Sequence, residues 1–287
     1  MEADRIKTFD NIYLHAEIEG KEDPESNPLI CLNGVGVSTF FWNYLKLFFS
    51  KSNPIITWDY RGHGLSDQPF KTDSFKFNHI IKDLNTVIKY YKHNEVVLIG
   101  HSMGSIVALD YAHKHPDRVK AIVIIAGSYE HMLSHLFNSS HSKFIFEKLF
   151  YLNSKFKGRF DLIWKILHKF PLNYELAKLL VVNGNFCRKE DMEFYFEHIS
   201  SINFDFLMKV FKEADKYSAK KLLPQINTPT LILGGDKDVF TPIEKSYEMY
   251  NLLPNAEIMI IPNGSHAAII EQPELINLRI EKFLRDL

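Results

Sequence analysis

The stretch Val96-Val97-Leu98-Ile99-Gly100-His101-Ser102-Met103-Gly104 decides how this chain folds. Its first four residues are apolar and mostly β-branched, which is typical of a buried parallel strand. The segment from Met103 to His115 has apolar residues at helical spacing, basic residues in its last turn and Pro116 just past its end. The sequence therefore predicts a strand and a helix that are joined by a tight Gly-x-Ser-x-Gly turn.

The serine of this turn is a candidate nucleophile. The two glycines let the backbone turn sharply from strand to helix, which holds Ser102 in a strained, exposed position at the tip. Its hydroxyl then lies over a helix N-terminus, where backbone N–H groups favour negative charge. A Gly-x-Ser-x-Gly match often marks only a turn, so the strand before it and the helix after it carry the interpretation.

Length and composition indicate a globular protein. The 287 residues are enough for a domain of about 200 residues with an insertion. A net charge of −1 gives no electrostatic basis for binding nucleic acid. Two distant cysteines, Cys31 and Cys187, are no disulfide framework, and no apolar run is long enough to span a bilayer. Because the first residues also lack an apolar signal, we expect a cytoplasmic protein.

Strand-like and helical segments alternate along most of the chain. This alternation predicts an α/β fold with a mostly parallel central sheet flanked by helices, preceded by an N-terminal hairpin around Asp10-Asn11. Six nearly continuous apolar runs predict strands covered on both faces, at 28–32, 54–58, 96–99, 121–126, 230–233 and 257–261. Helices are predicted near 39–49, 74–91, 103–115, 243–252 and 273–287.

Residues 129–221 break this alternation. They contain amphipathic helical stretches and no convincing strand, which predicts a helical cap inserted between two core segments, 1–128 and 222–287. Between residues 131 and 170, seven basic residues stand against two acidic ones. This excess indicates a solvated face or a docking surface for an anionic substrate group or a membrane. The apolar cap residues either wall a substrate pocket or pack against the core: Phe144, Phe146, Leu149, Phe150, Phe156, Phe160, Trp164 and Phe170.

A serine hydroxyl needs a base to take its proton at neutral pH. His266 follows the predicted strand 257–261 through a turn-rich loop and precedes the helix beginning near Pro273. This places the imidazole at the carboxyl end of a strand, where open α/β sheets carry their chemistry. A histidine of a surface loop is the alternative for this residue.

Two aspartates are candidates for orienting that imidazole. Asp236 and Asp238 both follow the predicted strand 230–233, and either one can also cap the next helix. The chain order of serine, aspartate and histidine is the order that this strand–turn–helix serine requires. The residues alone leave both aspartates open.

The strand Leu29–Leu32 ends in Asn33-Gly34-Val35-Gly36. A flexible backbone at this point can direct an N–H group toward a developing oxyanion, with the N–H of Met103 as the second donor. A simple connecting turn is the alternative. The third glycine of a dinucleotide-binding fingerprint is missing, so no nucleotide cofactor is indicated.

The combination of motifs resembles the α/β-hydrolase family, in its cap-bearing branch of esterase-, lactonase- and C–C-hydrolase-like enzymes. The resemblance covers roughly residues 5–128 and 222–287. It depends on Asn33-Gly34, on the segments 59–66 and 100–104, on Gly235-Asp236-Lys237-Asp238 with Pro242, and on Gly264-Ser265-His266 with Glu271-Gln272-Pro273.

The resemblance implies Ser102 as nucleophile and His266 as general base and then acid. It implies Asp238 as the orienting carboxylate, because the family pattern has Gly, two residues, Asp and a Pro four positions later. It also implies oxyanion donors from the backbone of Val35 and Met103.

One position departs from the family. Asn33 stands where members usually have a histidine that braces the oxyanion loop, and an asparagine amide can replace it. The resemblance gives no catalytic role to Asp59, Arg61 or His63.

We therefore expect a serine hydrolase that cleaves an ester-type bond of a small hydrophobic substrate through an acyl-enzyme, without metal or organic cofactor. Serine at position 102 disfavours the aspartate-nucleophile relatives, the epoxide hydrolases and haloalkane dehalogenases. A ligand-binding receptor with vestigial hydrolysis and an acyltransferase or cofactor-free perhydrolase are the alternatives. The sequence does not choose among ester, lactone, thioester and carbon–carbon substrates, and it gives no oligomeric state.

Overall fold

The computed structural model of the chain describes residues 3–20, 27–135, 141–156, 159–167, 175 and 182–287. Within these residues, eight strands form one sheet: β1 (Asp4–Lys7), β2 (Tyr13–Glu19), β3 (Leu29–Leu32), β4 (Ile55–Trp58), β5 (Val96–His101), β6 (Val119–Ile125), β7 (Thr230–Gly235) and β8 (Ala256–Ile261). Their order in the sheet is β1-β2-β4-β3-β5-β6-β7-β8. The strands β1, β2 and β4 pair antiparallel, and all other neighbours pair in parallel.

Helices flank this sheet. They are α1 (Asn43–Phe49), α2 (Phe77–Tyr90), α3 (Met103–Lys114), α4 (Met132–His135), α5 (Ser142–Lys155), α6 (Arg159–Leu167), α7 (Lys189–Ser201), α8 (Phe204–Asp215), α9 (Ile243–Leu252), α10 (Ala268–Glu271) and α11 (Pro273–Arg285). Helices α4 to α8 lie between β6 and β7 in the chain, where the sequence predicts a cap. None of the helices in the described residues has the length and apolar content to cross a membrane.

The predicted α/β architecture is confirmed. Every residue of β3, β4, β5 and β7 is buried, as expected for strands that are covered on both faces. The first predicted helix is divided into a 3₁₀ turn at Thr39–Trp42 and α1. The second starts at Phe77 rather than near residue 74, because Lys76 has an extended backbone with φ of −129°.

The sheet order determines where the site lies. The chain places β4 on one side of β3 and β5 on the other, so the direction of winding reverses between β3 and β5. Ligands of open α/β sheets bind outside the carboxyl ends of the strands at such a reversal. The loops after β3, β5, β7 and β8 meet at this edge because these strands run in parallel.

Candidate active site

Ser102 lies between β5 and α3 in a strained backbone conformation, with φ of 53° and ψ of −118°. The turn requires glycines because backbone atoms of other residues come too close to these positions to leave room for a side chain. A Cβ at Gly104 would lie 2.1 Å from the carbonyl oxygen of Leu32, and a Cβ at Gly100 would lie 2.6 Å from the carbonyl oxygen of Gly104. The predicted exposure of Ser102 is wrong, because only 4% of the residue is accessible.

The structure brings the three predicted site residues together. His266 Nε2 lies 3.0 Å from Ser102 Oγ, and His266 Nδ1 lies 2.9 Å from Asp238 Oδ2. A carboxylate only accepts hydrogen bonds, so the imidazole carries its proton on Nδ1. Nε2 is then the lone-pair nitrogen that faces the serine hydroxyl.

Asp238, and not Asp236, contacts the imidazole. Asp238 is 4% exposed, whereas Asp236 is exposed to solvent. The Asp238 carboxylate also accepts hydrogen bonds from the Phe240 and Thr241 backbone N–H groups at 2.8 and 2.9 Å, and from the Thr241 hydroxyl at 2.5 Å. Burial acts to raise the pKa of Asp238, but His266 and the Thr241 donors outweigh it, so the pKa is lowered. The carboxylate is therefore ionised at neutral pH.

His101 supports the histidine loop, and the sequence did not single it out. Its Nε2 donates a hydrogen bond of 2.9 Å to the carbonyl oxygen of His266. Burial, with a smaller contribution from the neighbouring His266, lowers the pKa of His101 to about 3, so this imidazole stays neutral. Its position directly before the serine was the only signal in the sequence.

The Asn33 amide braces the loop that follows β3. Its Nδ2 donates to the Trp58 carbonyl oxygen at 2.8 Å, and its Oδ1 accepts from the Trp42 indole at 2.6 Å. Gly34 lets the loop pass close to the serine, since a Cβ there would lie 3.1 Å from Ser102 Cβ. Val35 follows and lines the pocket beside Ser102.

The two predicted N–H donors belong to Val35, which lines the pocket, and to Met103, which follows Ser102 in the chain. Met103 is the first residue of α3, where a backbone N–H has no partner within its own helix. No hydrogen bond joins the N–H of Val35 or of Met103 to another described residue. Both groups therefore remain able to bind an oxygen of a ligand.

A cavity opens over Ser102 and His266. Apart from these two residues and His101, its described lining is apolar or aromatic: Gly34, Val35, Val37, Phe41, Val182, Met192, Tyr195, Ala267 and Ile270. The absence of charged side chains among these residues suits an uncharged ligand.

The aromatic residues that the sequence offered as a pocket wall do not form the wall of this cavity in the described residues. The cap wall of the cavity consists of Val182 and of Met192 and Tyr195 on α7, whereas none of the described aromatic residues predicted from α5 and α6 lines it. Phe146 instead packs on Phe211, and Phe160 stacks on Phe204. The sequence left a pocket wall and core packing as alternatives for these residues, because helical periodicity shows which residues share a face and not what that face contacts. The predicted wall residue Phe170 lies outside the described residues.

Glu271 is a buried carboxylate next to the histidine loop, and the sequence had given it no role. It accepts a hydrogen bond of 2.6 Å from the Asn183 backbone N–H, which belongs to the cap segment. The Asn183 side chain donates to the Asn263 carbonyl oxygen at 3.0 Å. Burial raises the pKa of Glu271, although the hydrogen bonds that its carboxylate accepts act to lower it. The Glu-Gln-Pro motif was the signal in the sequence.

No residue of the segment 59–66 is among the described residues that line the pocket over Ser102. Arg61 is 1% exposed and binds the buried Asp83 through Nε and Nη2 at 2.7 and 2.6 Å. Asp59 accepts hydrogen bonds from the N–H groups of Thr39 and Leu65 at 3.0 and 2.9 Å. These contacts hold the turn after β4.

Known proteins are similar to this chain over most of its length. A family model described as the alpha/beta hydrolase fold matches residues 27–273. Protein ABHD8 of Bos taurus is 28% identical over 265 residues, which make up 89% of this chain and 55% of that protein. Epoxide hydrolase 1 of Caenorhabditis elegans is 23% identical over 284 residues, which make up 95% of this chain and 68% of that protein. The chain thus spans about half the length of the ABHD8 relatives that it matches.

Solved structures agree with the family match. MGS-M2, an alpha/beta hydrolase enzyme from a Medee basin deep-sea metagenome library, is 25% identical with a TM-score of 0.76, and the match covers 97% of this chain and 96% of that one. A thermophilic esterase from Thermogutta terrifontis shares the fold at 20% identity and a TM-score of 0.77, over 100% of this chain and 99% of that one. By the match of the family model to most of its length, this chain belongs to the alpha/beta hydrolase fold family.

Proposed function

We propose that this chain is a serine hydrolase that cleaves an ester-type bond of a small, uncharged, largely apolar substrate. Membership of the family and curated relatives named as epoxide hydrolases support a hydrolase in the broad sense. The observation that carries the narrower proposal is the hydrogen-bonded series Ser102–His266–Asp238, with separations of 3.0 and 2.9 Å.

In the proposed reaction, the Ser102 oxygen attacks the substrate carbonyl carbon while His266 Nε2 takes the hydroxyl proton. The negative charge that develops on the carbonyl oxygen is held by the N–H groups of Val35 and Met103. His266 then gives the proton to the leaving alcohol, and an acyl-enzyme remains on Ser102. Water repeats the two proton transfers and releases the acid. Asp238 holds the imidazole in the required tautomer and stabilises its charged form.

The serine nucleophile argues against an epoxide as the substrate. Attack of a hydroxyl on an epoxide carbon would leave an ether on Ser102, and an ether has no carbonyl that water can attack. An ester, lactone or thioester leaves an acyl group, which water does remove. The apolar lining of the cavity suits an acyl chain or a hydrophobic ring.

The test is a panel of p-nitrophenyl esters from acetate to octanoate with the wild type and Ser102→Ala. We expect turnover by the wild type, and a loss of at least about a thousandfold in the variant. A fluorophosphonate should label the wild type at Ser102, as read by peptide mass spectrometry, and Ser154→Ala should behave as the wild type. Labelling at another residue, or equal turnover by Ser102→Ala, would overturn the proposal.

The same assay separates the alternatives. A receptor-like member would bind an apolar ester tightly with turnover near background. An acyltransferase or perhydrolase would form product faster when an alcohol, thiol or peroxide acceptor is added than with water alone.

A further inference from the structure

The outward side of helix α5 carries several large apolar side chains. Phe144, Ile145 and Tyr151 have 62%, 61% and 62% of their surface exposed. The fully buried residues of this helix are both polar, Ser142 and Asn153. An amphipathic helix of a globular protein normally turns its most apolar face toward the core. In α5, much of the apolar surface points away from the protein.

Contacts on the inward side fix this orientation. Phe146 packs on Phe211 of α8, with ring centroids 5.8 Å apart. Asn153 Nδ2 donates a hydrogen bond of 2.6 Å to Asp205 Oδ1, at the start of α8. These contacts lie about two turns apart along α5 and set its rotation. The outward apolar side chains are therefore a fixed surface of the folded protein.

Two neighbouring stripes form this surface, which we call the α5 outer face. One stripe alternates aromatic rings and ammonium groups at spacings of four, three and four residues, which places them on one side of the helix. The other stripe is apolar and ends at the residue after the helix. The first stripe consists of Phe144, Lys148, Tyr151 and Lys155. The second consists of Ile145, Leu152 and Phe156.

The two lysines of the outer face lie beside aromatic rings. Lys148 Nζ lies 5.5 Å from the ring centre of Phe144, and Lys155 Nζ lies 5.7 Å from that of Phe156. Neither lysine forms an ion pair with a carboxylate in the part of the chain that the structure describes, whereas Lys165 pairs with its own helix neighbour Asp161 at 2.9 Å. The outer face thus combines apolar surface with lysines that are not held in ion pairs.

This combination fits a lipid surface with anionic headgroups. Lysine stems are apolar and their ammonium groups are cationic, so they suit the boundary between acyl chains and phosphates. A two-fold contact between two copies of this face would bring the lysines of one copy toward those of the other. With 14 residues, α5 is too short to span a bilayer but long enough to lie flat in the headgroup region.

We propose that the α5 outer face docks this protein onto anionic membrane surfaces. The aromatic and aliphatic side chains enter the boundary between headgroups and acyl chains, and Lys148 and Lys155 contact lipid phosphates. Docking does not require the proposed hydrolysis, because it depends on the cap surface and not on Ser102. The two proposals can therefore fail separately.

Vesicle co-sedimentation of the full chain tests the proposal, with vesicles of phosphatidylcholine alone and of phosphatidylcholine mixed with phosphatidylglycerol. We expect the wild type to bind the mixed vesicles more strongly, and added salt to weaken that binding. Lys148→Gln with Lys155→Gln should lower partitioning into mixed vesicles about thirtyfold, as expected for two lysines near an anionic surface. Phe144→Ser with Leu152→Ser should lower partitioning into both kinds of vesicle.

Matched controls are Leu47→Ser and Phe70→Ser, which remove apolar side chains that are 70% and 85% exposed elsewhere on the surface. They should bind as the wild type does, and circular dichroism should show every variant folded. The proposal is overturned if the wild type does not bind mixed vesicles, or if the α5 variants bind as the controls do. Sedimentation velocity adds a further outcome: a dimer that the α5 variants abolish, without vesicle binding, would assign the outer face to a second copy of the chain.

Discussion

Glu271 and Ser265 share two hydrogen bonds beside the proposed base. The Ser265 hydroxyl donates to one carboxylate oxygen at 2.5 Å, and the Ser265 backbone N–H donates to the other at 3.0 Å. The same hydroxyl accepts from the Ala267 N–H at 3.1 Å, so the residues on both sides of His266 are fixed. Asn183 of the cap donates to this carboxylate as well. One buried side chain thus joins the histidine loop to the segment that the sequence predicts as a cap.

The variant Glu271→Gln tests this positioning role. The amide nitrogen of the new glutamine would face the Ser265 or Asn183 donors, which need an acceptor. This mismatch should cost about 1–3 kcal/mol of folding free energy and displace the loop that carries His266. We expect kcat for a p-nitrophenyl ester to fall tenfold to about a hundredfold, with KM within about twofold, because a small displacement of a base slows the chemistry. Glu274→Gln, at an exposed position of α11, is the control. Equal kcat for both variants would refute the role.

Exchange of each candidate aspartate distinguishes their roles. Asp238→Asn removes the acceptor that holds the proton on His266 Nδ1, so kcat should fall by about four orders of magnitude. Asp236→Asn changes only an exposed side chain and should leave kcat near that of the wild type. The measurement is kcat on the same ester for both purified variants. The reverse result would assign the role to Asp236.

Removal of the Asn33 amide tests the bracing of the loop. Asn33→Ala leaves the Trp42 indole N–H and the Trp58 carbonyl oxygen without their partner, so the free energy of unfolding in urea should drop by about 1–3 kcal/mol. It should also lower kcat about tenfold, because the N–H of Val35 is less well placed. Asn33→His should retain more activity than Asn33→Ala. If Asn33→Ala has the stability of the wild type, these hydrogen bonds do not brace the loop.

His63 makes stability depend on pH. It is 1% exposed, its Nε2 has no hydrogen-bond partner among the described residues, and burial lowers its pKa from 6.5 to about 4. Below pH 6.5 the unfolded chain therefore takes up a proton that the folded chain does not, and stability falls as pH falls toward 4. Between pH 7 and pH 5 this single group should lower the free energy of unfolding by about 2 kcal/mol.

The measurement is urea unfolding of the wild type and of His63→Gln at pH 7, 6 and 5. From pH 7 to pH 5, the free energy of unfolding of the wild type should fall by about 2 kcal/mol more than that of the variant. His113→Gln, near the end of α3, provides a control substitution of another histidine. If the difference in free energy of unfolding between the wild type and His63→Gln stays constant with pH, the prediction is contradicted.

Most of the fold could be predicted because its signals are local. The apolar run at Val96–Ile99, the glycines on either side of Ser102 and the helix after it each follow from neighbouring residues, and the structure has them within two residues of the predicted bounds. The approach of His266 to Ser102 was also predictable, since parallel strands bring their carboxyl ends to one edge of a sheet. The residues alone place both aspartates at the end of β7, so the choice of Asp238 depended on the resemblance to the family.

What the sequence by itself determined is the α/β architecture and the chain order of serine, aspartate and histidine, because strand and helix periodicity and glycine turns act over a few residues. Tertiary structure alone decided that Asp238 faces inward and Asp236 outward, and that Val182 and Tyr195 form the cap wall. It also decided that α5 turns Phe144 and Tyr151 toward solvent. These outcomes depend on contacts between segments far apart in the chain, and no local pattern encodes which of two faces such a contact will cover.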